Sequence, residues 1–478
     1  MFRTVVPLLL VLAAPALAGE APRPLTLHPD NPHYFLFRGK PAILVTSGEH
    51  YGAVLNKDFN YLPYLDELQK HGFNLTRTFS GTYREVPGSF KIQDNTLAPE
   101  PKNYACPWAR SDTPGAGDGG NKFDLARWDA DYFKRLKDFV AEAGKRGIVV
   151  EVVLFCTLYD DKLWAVSPMN SANNVNGAGK GKRTEVFTLQ DKAVTEVQDA
   201  LARKIVGELR DFDNCYFEVC NEPYFNNVTL EWQHHIADVL ADAEKDRPHR
   251  HLLAMNIANG SARVDRPHPK VGLLNFHYAA PPKAVELNYG LNLAVGDDET
   301  GFRGTGDRPY REEAWNFLLC GGAVFSHLDY SFSCKHPDGT FAFKDSPGGG
   351  GLEFRKQLAV LKRFVEGFDF LRMKPDFKGE IVRGTRFEGV PDKPGKKDDA
   401  PGVRCLVEAG KQYALYIRGG TKATLTLELP KGTYRAEWVN TRTGAVEASS
   451  KLEHAGGTAE LMSPAYREDL ALRLVAEK

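Results

Sequence analysis

Two acidic stretches carry the residue types for breaking an acetal bond. Asn221-Glu222-Pro223 closes the apolar and aromatic run Cys215-Tyr216-Phe217-Glu218-Val219-Cys220. Proline donates nothing to a sheet ladder, so a strand predicted here must end at the triplet, with Asn221 and Glu222 at its C-terminal tip. Asp297-Asp298-Glu299 follows a second apolar run, Leu291 to Gly296. Two carboxyl groups about 5–5.5 Å apart can split an acetal in two steps, one attacking the acetal carbon and the other protonating the leaving oxygen. Glu222 and Glu299 form the best-placed pair, with Asp297 and Asp298 as rivals to Glu299. Arg77, in Leu75-Thr76-Arg77-Thr78-Phe79, and His277-Tyr278, ending Gly272-Leu273-Leu274-Asn275-Phe276, stand at the ends of two further strand-like runs.

Such residues lie far apart in the chain, so the elements between them must gather strand ends at one place. The pattern predicts eight strands alternating with helices over residues 41–370. The strands begin with Ala42-Ile43-Leu44-Val45-Thr46 and continue through Phe73 to Phe79, Ile148 to Phe155 and the Cys215 run. Leu252 to Asn256, Gly272 to Tyr278, Leu291 to Gly296 and Ala323 to Leu328 complete them. A (β/α)8 TIM barrel fits, and its chemistry sits at the C-terminal ends of the strands. An open doubly wound sheet would call for a glycine-rich phosphate turn after its first strand, and that turn is missing. Residues 80–128, rich in Gly, Pro and Asp, read as a long functional loop.

Residues 24–40 read as a β-hairpin ahead of the barrel. After residue 373 helical periodicity gives way to short alternating strands such as Tyr413 to Ile417, Ala423 to Leu429 and Tyr434 to Val439, punctuated by Gly419-Gly420 and Pro430-Lys431-Gly432. These predict a small C-terminal antiparallel β-sandwich, with an exposed loop from Pro391 to Pro401. The expected organisation is therefore a signal peptide over 1–18, an α/β barrel domain with its N-terminal hairpin over 19–372, and a sandwich over 373–478.

The 478 residues balance 61 Lys+Arg against 62 Asp+Glu, a net charge of −1, which offers no bulk attraction for nucleic acid or an anionic membrane. Met1-Phe2-Arg3, the apolar run to Leu12 and Ala16-Leu17-Ala18 have the layout of a secretory leader cleaved after Ala18. The expected location is secreted or periplasmic. No later stretch is apolar enough to span a bilayer. Seven scattered cysteines without a C-x-x-C pair suggest at most one or two disulfides and no zinc or redox motif.

Asn221-Glu222 at the fourth strand and Glu299 at the seventh resemble the retaining barrel hydrolases of glycoside hydrolase clan A, the cellulase-like family 5 group included. The resemblance implies that Glu222 is the acid/base and Glu299 the nucleophile, and that Asn221 hydrogen-bonds the sugar 2-hydroxyl. Arg77 matches the clan's arginine that steadies the nucleophile. His277-Tyr278 resembles its His-x-Tyr pair without the spacer, with the tyrosine holding the nucleophile and the histidine reaching substrate or acid/base. The usual tryptophan at the eighth strand is replaced by Ser326-His327-Leu328-Asp329-Tyr330. Sugar stacking is expected from Tyr159 or Trp164 after the third strand, or from Trp108, and His50 and His327 are further candidate substrate contacts. Trp438-Val439-Asn440-Thr441-Arg442-Thr443-Gly444 resembles the sandwich appended to apiosidase-like barrel hydrolases, a module sometimes labelled collagen-binding; its expected role here is to stabilise the barrel.

The function implied is a secreted retaining glycosidase acting on plant or algal poly- or oligosaccharides, with no cofactor and no metal. The alternative is a non-catalytic barrel that binds carbohydrate. A metal-dependent hydrolase would need His-x-His at the end of the first strand, where Gly48-Glu49-His50 offers a single histidine. His249-Arg250-His251 precedes the fifth strand, on the face that serves stability.

Overall fold

The computed structural model describes residues 23–390 and 400–477. The predicted leader and most of the predicted 391–401 loop lie outside them. Eight parallel strands form the barrel: β1 (Leu44–Gly48), β2 (Leu75–Phe79), β3 (Val149–Cys156), β4 (Cys215–Asn221), β5 (Leu253–Asn259), β6 (Leu273–His277), β7 (Ala294–Thr300) and β8 (Val324–Leu328). Each pairs with its sequence neighbour from β2 round to β8, and β8 pairs with β1. At the remaining seam, between β1 and β2, the Asn74 side chain substitutes for ladder bonds. It accepts from the Val45 amide at 3.0 Å and donates to the Ile43 carbonyl at 2.8 Å.

The strands read as near-continuous apolar runs because both faces are covered, and all eight residues of β3 are buried. The helices between them start at capping side chains. Asn60, Asp129, Asp191 and Thr229 each accept a hydrogen bond from an amide in the first turn of the helices Tyr61–Lys70, Ala130–Lys145, Lys192–Leu209 and Leu230–Ala243. Each such cap stabilises its helix by about 1 kcal/mol.

The N-terminal segment has one strand more than a hairpin: Thr26–His28, Asn31–Phe37 and Lys40–Ala42 form a three-stranded antiparallel sheet. The Leu25 amide donates to the Asp213 carbonyl at 3.0 Å, and His33 Nδ1 lies 3.2 Å from the Leu293 carbonyl, both just ahead of barrel strands. The segment thus lies against the N-terminal end of the barrel, leaving the opposite end for the site. The long stretch after β2 is not wholly loop, for Trp108–Pro114 and Asn121–Trp128 pair as a β-ribbon.

Beyond the barrel, a six-stranded and a three-stranded antiparallel sheet enclose a separate apolar core that includes Leu415, Ile417, Leu425 and Trp438. The sandwich is tied to the barrel through the helix Asp307–Leu318. Arg311 Nε donates to Asp469 at 2.9 Å, Tyr416 and Thr441 also donate to Asp469, and Trp315 stacks on Tyr416 at 5.4 Å. All seven cysteines are free thiols, so neither domain is stapled. Among the described residues no helix is long and apolar enough to cross a membrane.

Candidate active site

Glu222 and Glu299 meet across the mouth of the barrel. Their facing carboxylate oxygens and a ring nitrogen of His277 all lie within 4.8 Å of one another. They stand in a cavity of about 300 Å³ that His50, Tyr159, Asn221 and Tyr278 also line. Asp297-Asp298-Glu299 is part of β7, not a solvated turn, and all three residues are buried. In the ladder Phe276 faces Asp297 and His277 faces Glu299, so Asp298 is an extra, bulged residue. Such a bulge re-aims side chains. Asp298 and Glu299 both turn toward Arg77, at 3.3 Å each, while Asp297 lies by the Ala279 amide.

Glu222 and Tyr278, both at the mouth, hold left-handed backbone, at φ 48° and φ 52°. Neighbours in an extended strand point to opposite faces. The left-handed turn at Tyr278 breaks that alternation and brings both members of the unspaced pair inward. Tyr278 Oη donates to Glu299 at 2.9 Å, and His277 Nδ1 lies 3.2 Å from Glu222. The Glu222 amide is itself held by Asn256 Oδ1 at 3.0 Å. Backbone strain of this kind, about 1–3 kcal/mol per residue, persists where surrounding contacts over-determine it and is common at functional sites.

Arg77 organises a charged layer beneath the mouth. Its guanidinium donates to Glu299 at 3.3 Å, to Asn221 Oδ1 at 3.0 Å and to Glu218, and lies over the Tyr51 ring. Glu151 is 3.6 Å from Arg77 Nε, and Asn275 donates to both Glu151 and Glu218, at 2.9 and 2.7 Å. Burial pushes the Asp298 and Glu151 carboxyls above their usual range against the pull of Arg77. One cation cannot neutralise so many buried carboxylates at once.

Glu222 is set the other way. Burial alone would raise its pKa, but donation from His277, from Tyr159 at 2.5 Å and from Tyr224 at 3.1 Å holds it below the ordinary carboxylate range. On the far wall His50 lies 3.3 Å from Glu85, which also accepts from Tyr83 and Asn95. Burial would lower the His50 pKa; Glu85 outweighs it and favours the imidazolium.

The fold thus brings Glu222, Glu299, Asn221, Arg77, His277, Tyr278, His50 and Tyr159 together. Three candidates are left out. Trp164 packs in the short helix Asp161–Val166, 9% exposed and away from the cavity wall. His327 is fully buried against Tyr310 and Phe354, with ring centroids 4.4 and 4.5 Å away, and its Nδ1 lies 3.0 Å from Ser47 Oγ. It faces the helix layer, and burial pushes its pKa down to about 4. Trp108 is also buried outside the cavity. His251 is bound to Glu244 at 2.7 Å.

Site residues that the sequence reading did not single out include Tyr224, Glu85, Glu151, Glu218 and Asn275. A glutamate inside each of the apolar strands Val149–Cys156 and Cys215–Asn221 was the available signal for two of them. Both Glu222-His277-Glu299 and Glu151-Glu218-Asp298 have donor sets suited to a divalent cation. In the second set the Arg77 guanidinium already serves as counter-ion. In the first, Glu222 and Glu299 are engaged by Tyr159, Tyr224, Tyr278 and Arg77.

No family model matches the chain, and no curated protein matches it. Solved structures do. A Bacteroides vulgatus protein assigned as a glycoside hydrolase is 14% identical, with a TM-score of 0.63 over 96% of this chain and 84% of its own. A glycoside hydrolase family 5 protein from Bacteroides vulgatus is 13% identical, with a TM-score of 0.61 over 95% and 93%. A further structure described as a glycoside hydrolase is 13% identical, also at 0.61, over 95% and 97%. The likeness is one of fold, a parallel eight-stranded barrel with appended antiparallel sheets.

Proposed function

We propose that this chain is an exported retaining O-glycoside hydrolase, with Glu222 as acid/base and Glu299 as nucleophile, and with plant or algal glycans as the expected substrate class. The observation that carries the reading is the closeness of the two carboxylates, whose facing oxygens lie within 4.8 Å. Inverting enzymes need about 6.5–9.5 Å between carboxyl groups to admit a water, whereas retaining enzymes use about 5–5.5 Å. The fold likeness to proteins described as glycoside hydrolases supports the same class. Export rests on the leader-like pattern of residues 1–18.

In the first step a Glu299 carboxylate oxygen bonds to the anomeric carbon, the bond to the leaving oxygen breaks, and the Glu222 proton passes to that oxygen. In the second, Glu222 takes a proton from water, whose oxygen displaces Glu299 and frees the sugar with its original configuration. Arg77 and Tyr278 fix the attacking carboxylate from two sides. Asn221, held by Arg77, has its amide nitrogen 3.0 Å from Tyr159 Oη at the cavity wall, within reach of a sugar hydroxyl.

The test is a pair of variants on an activated aryl glycoside. Glu299→Ala abolishes turnover. Glu222→Ala lowers it by about 10²–10⁴-fold, and azide partly restores it as a glycosyl azide of retained configuration. Wild-type turnover in both variants, or inversion in the native product, overturns the assignment.

A further inference from the structure

Three phenylalanines break the usual rule that large apolar rings are covered. Phe90, Phe225 and Phe302 are 41%, 42% and 38% exposed, and they are the exposed phenylalanines among the described residues. All three line the cavity that holds Glu222 and Glu299. They arrive on separate loops, after β2, after β4 and after β7. Phe90 meets Tyr159 edge-on at 5.3 Å and Phe302 at 6.2 Å, while Phe225 lies 6.2 Å from Tyr159. The result is one arc of rings centred on the tyrosine that donates to Glu222.

The backbone supports this placement at a cost. Phe90 and Lys91 hold φ of 51° and 60°, left-handed values that side-chain-bearing residues rarely adopt. Three exposed rings gathered around one acid/base group mark a binding surface rather than scattered apolar exposure.

We propose that this arc is the leaving-group site and that it takes a flat aromatic aglycone, so that the plant or algal glycans expected above narrow to those whose sugar is joined to an aryl or arylalkyl alcohol. This rests on reading Glu222 and Glu299 as the glycosidic pair. A second sugar ring could stack its C–H face on one ring, but the others stand steeply to it, Phe302 at 72° to Phe90, and would meet its hydroxyls with phenyl surface that offers no hydrogen bond; unmatched polar groups are costly to desolvate. An aromatic ring leaves no polar group unmatched and gains edge-to-face contacts. A cavity of about 300 Å³ lies at the compact end of ligand sites, which suits a small aglycone. The bond broken is the glycosidic C–O bond, and the aromatic alcohol leaves with the Glu222 proton.

Benzyl alcohol is the probe, titrated by ligand-observed NMR against the wild type and against Phe90→Ala and Phe302→Ala. The expected result is saturable binding that each variant weakens by about fivefold or more, with thermal melts confirming that the variants fold. Absence of saturable binding, or affinity unchanged in both variants, overturns the proposal. The kinetic arm compares benzyl and methyl glycosides of whichever sugar is hydrolysed, since their alcohols have similar acidity and differ in the ring. The wild type is expected to favour benzyl in kcat/KM by about tenfold, and the ratio to collapse in the Phe90→Ala/Phe302→Ala double variant. Equal kcat/KM for the two glycosides in the wild type overturns it. If no glycoside is hydrolysed, the glycosidase reading fails, and the benzyl alcohol titration alone still decides the aromatic site.

Discussion

His277 Nδ1 lies 3.2 Å from Glu222 Oε1 and 3.5 Å from Glu299 Oε1, so one buried imidazole bridges the two carboxylates. Its other nitrogen faces Asp298 at 3.5 Å. The ring therefore links the mouth of the barrel to the charged layer below it. The protonation state of each carboxylate depends on its neighbours, and several consequences can be measured.

Tyr224→Phe removes one of the donors that favour the Glu222 carboxylate. A general acid must carry its proton, so activity falls as pH rises through the Glu222 pKa. Because its donors hold that pKa below the ordinary range, the wild-type optimum is expected to be acidic. Losing the Tyr224 hydroxyl raises it, and the alkaline limb of the kcat/KM profile moves to higher pH. A limb that stays fixed or moves lower contradicts this assignment of roles.

Asp298→Asn imitates the protonated acid that burial favours. A raised folded pKa means that the native state binds more protons than the unfolded chain above about pH 3.9, so stability declines as pH rises toward the folded pKa. The amide removes that contribution. Thermal melts from pH 4 to 8 should show a shallower decline for Asp298→Asn than for the wild type, and no loss of stability at the upper end.

Arg77→Ala leaves the carboxyls of Glu218 and Glu299 without their buried cation. The expected destabilisation is about 3–5 kcal/mol, read by chemical denaturation. Arg77→Lys keeps the charge but not the planar fork that reaches Asn221 and Glu299 together. It should fold and show a lower kcat with a smaller change in KM.

Arg311→Ala tests the joint between barrel and sandwich. It takes the cation, 2.9 Å away, from the buried Asp469 and leaves that carboxylate only the Tyr416 and Thr441 hydroxyls. The expected cost is again about 3–5 kcal/mol. No described residue of the sandwich lines the cavity, so kcat/KM at low temperature should stay within about twofold of wild type, as for sites without shared partners.

Much of the barrel was legible before folding was considered. Runs such as Val149-Val150-Glu151-Val152-Val153-Leu154-Phe155 announce strands covered on both faces, and Asn60, Asp129 and Asp191 announce the helices that follow. The pairing of Glu222 with Glu299 was legible as well, because each ends an apolar run. His327 and Trp164 were placed wrongly for a shared reason: residue type suggests what a side chain can do, not which face of a strand or helix it occupies. His327 alternates outward from its strand, and Trp164 closes a loop core.

The sequence by itself determined the eight strands, the helix starts and the two carboxylates at strand ends, since these follow from local periodicity, capping and the absence of a donor at Pro223. Only the tertiary structure decided what surrounds them. Closing the barrel brings Arg77, Glu151, Glu218, Asn275 and Asp298 into one layer from five strands, and no local pattern encodes that meeting. The bulge at Asp298 and the left-handed turn at Tyr278 arise from the fit between neighbouring strands, and they aim the side chains that hold Glu299 and Glu222. Proton affinity in the site follows from that packing, because burial and neighbouring charge, rather than residue type, set each pKa.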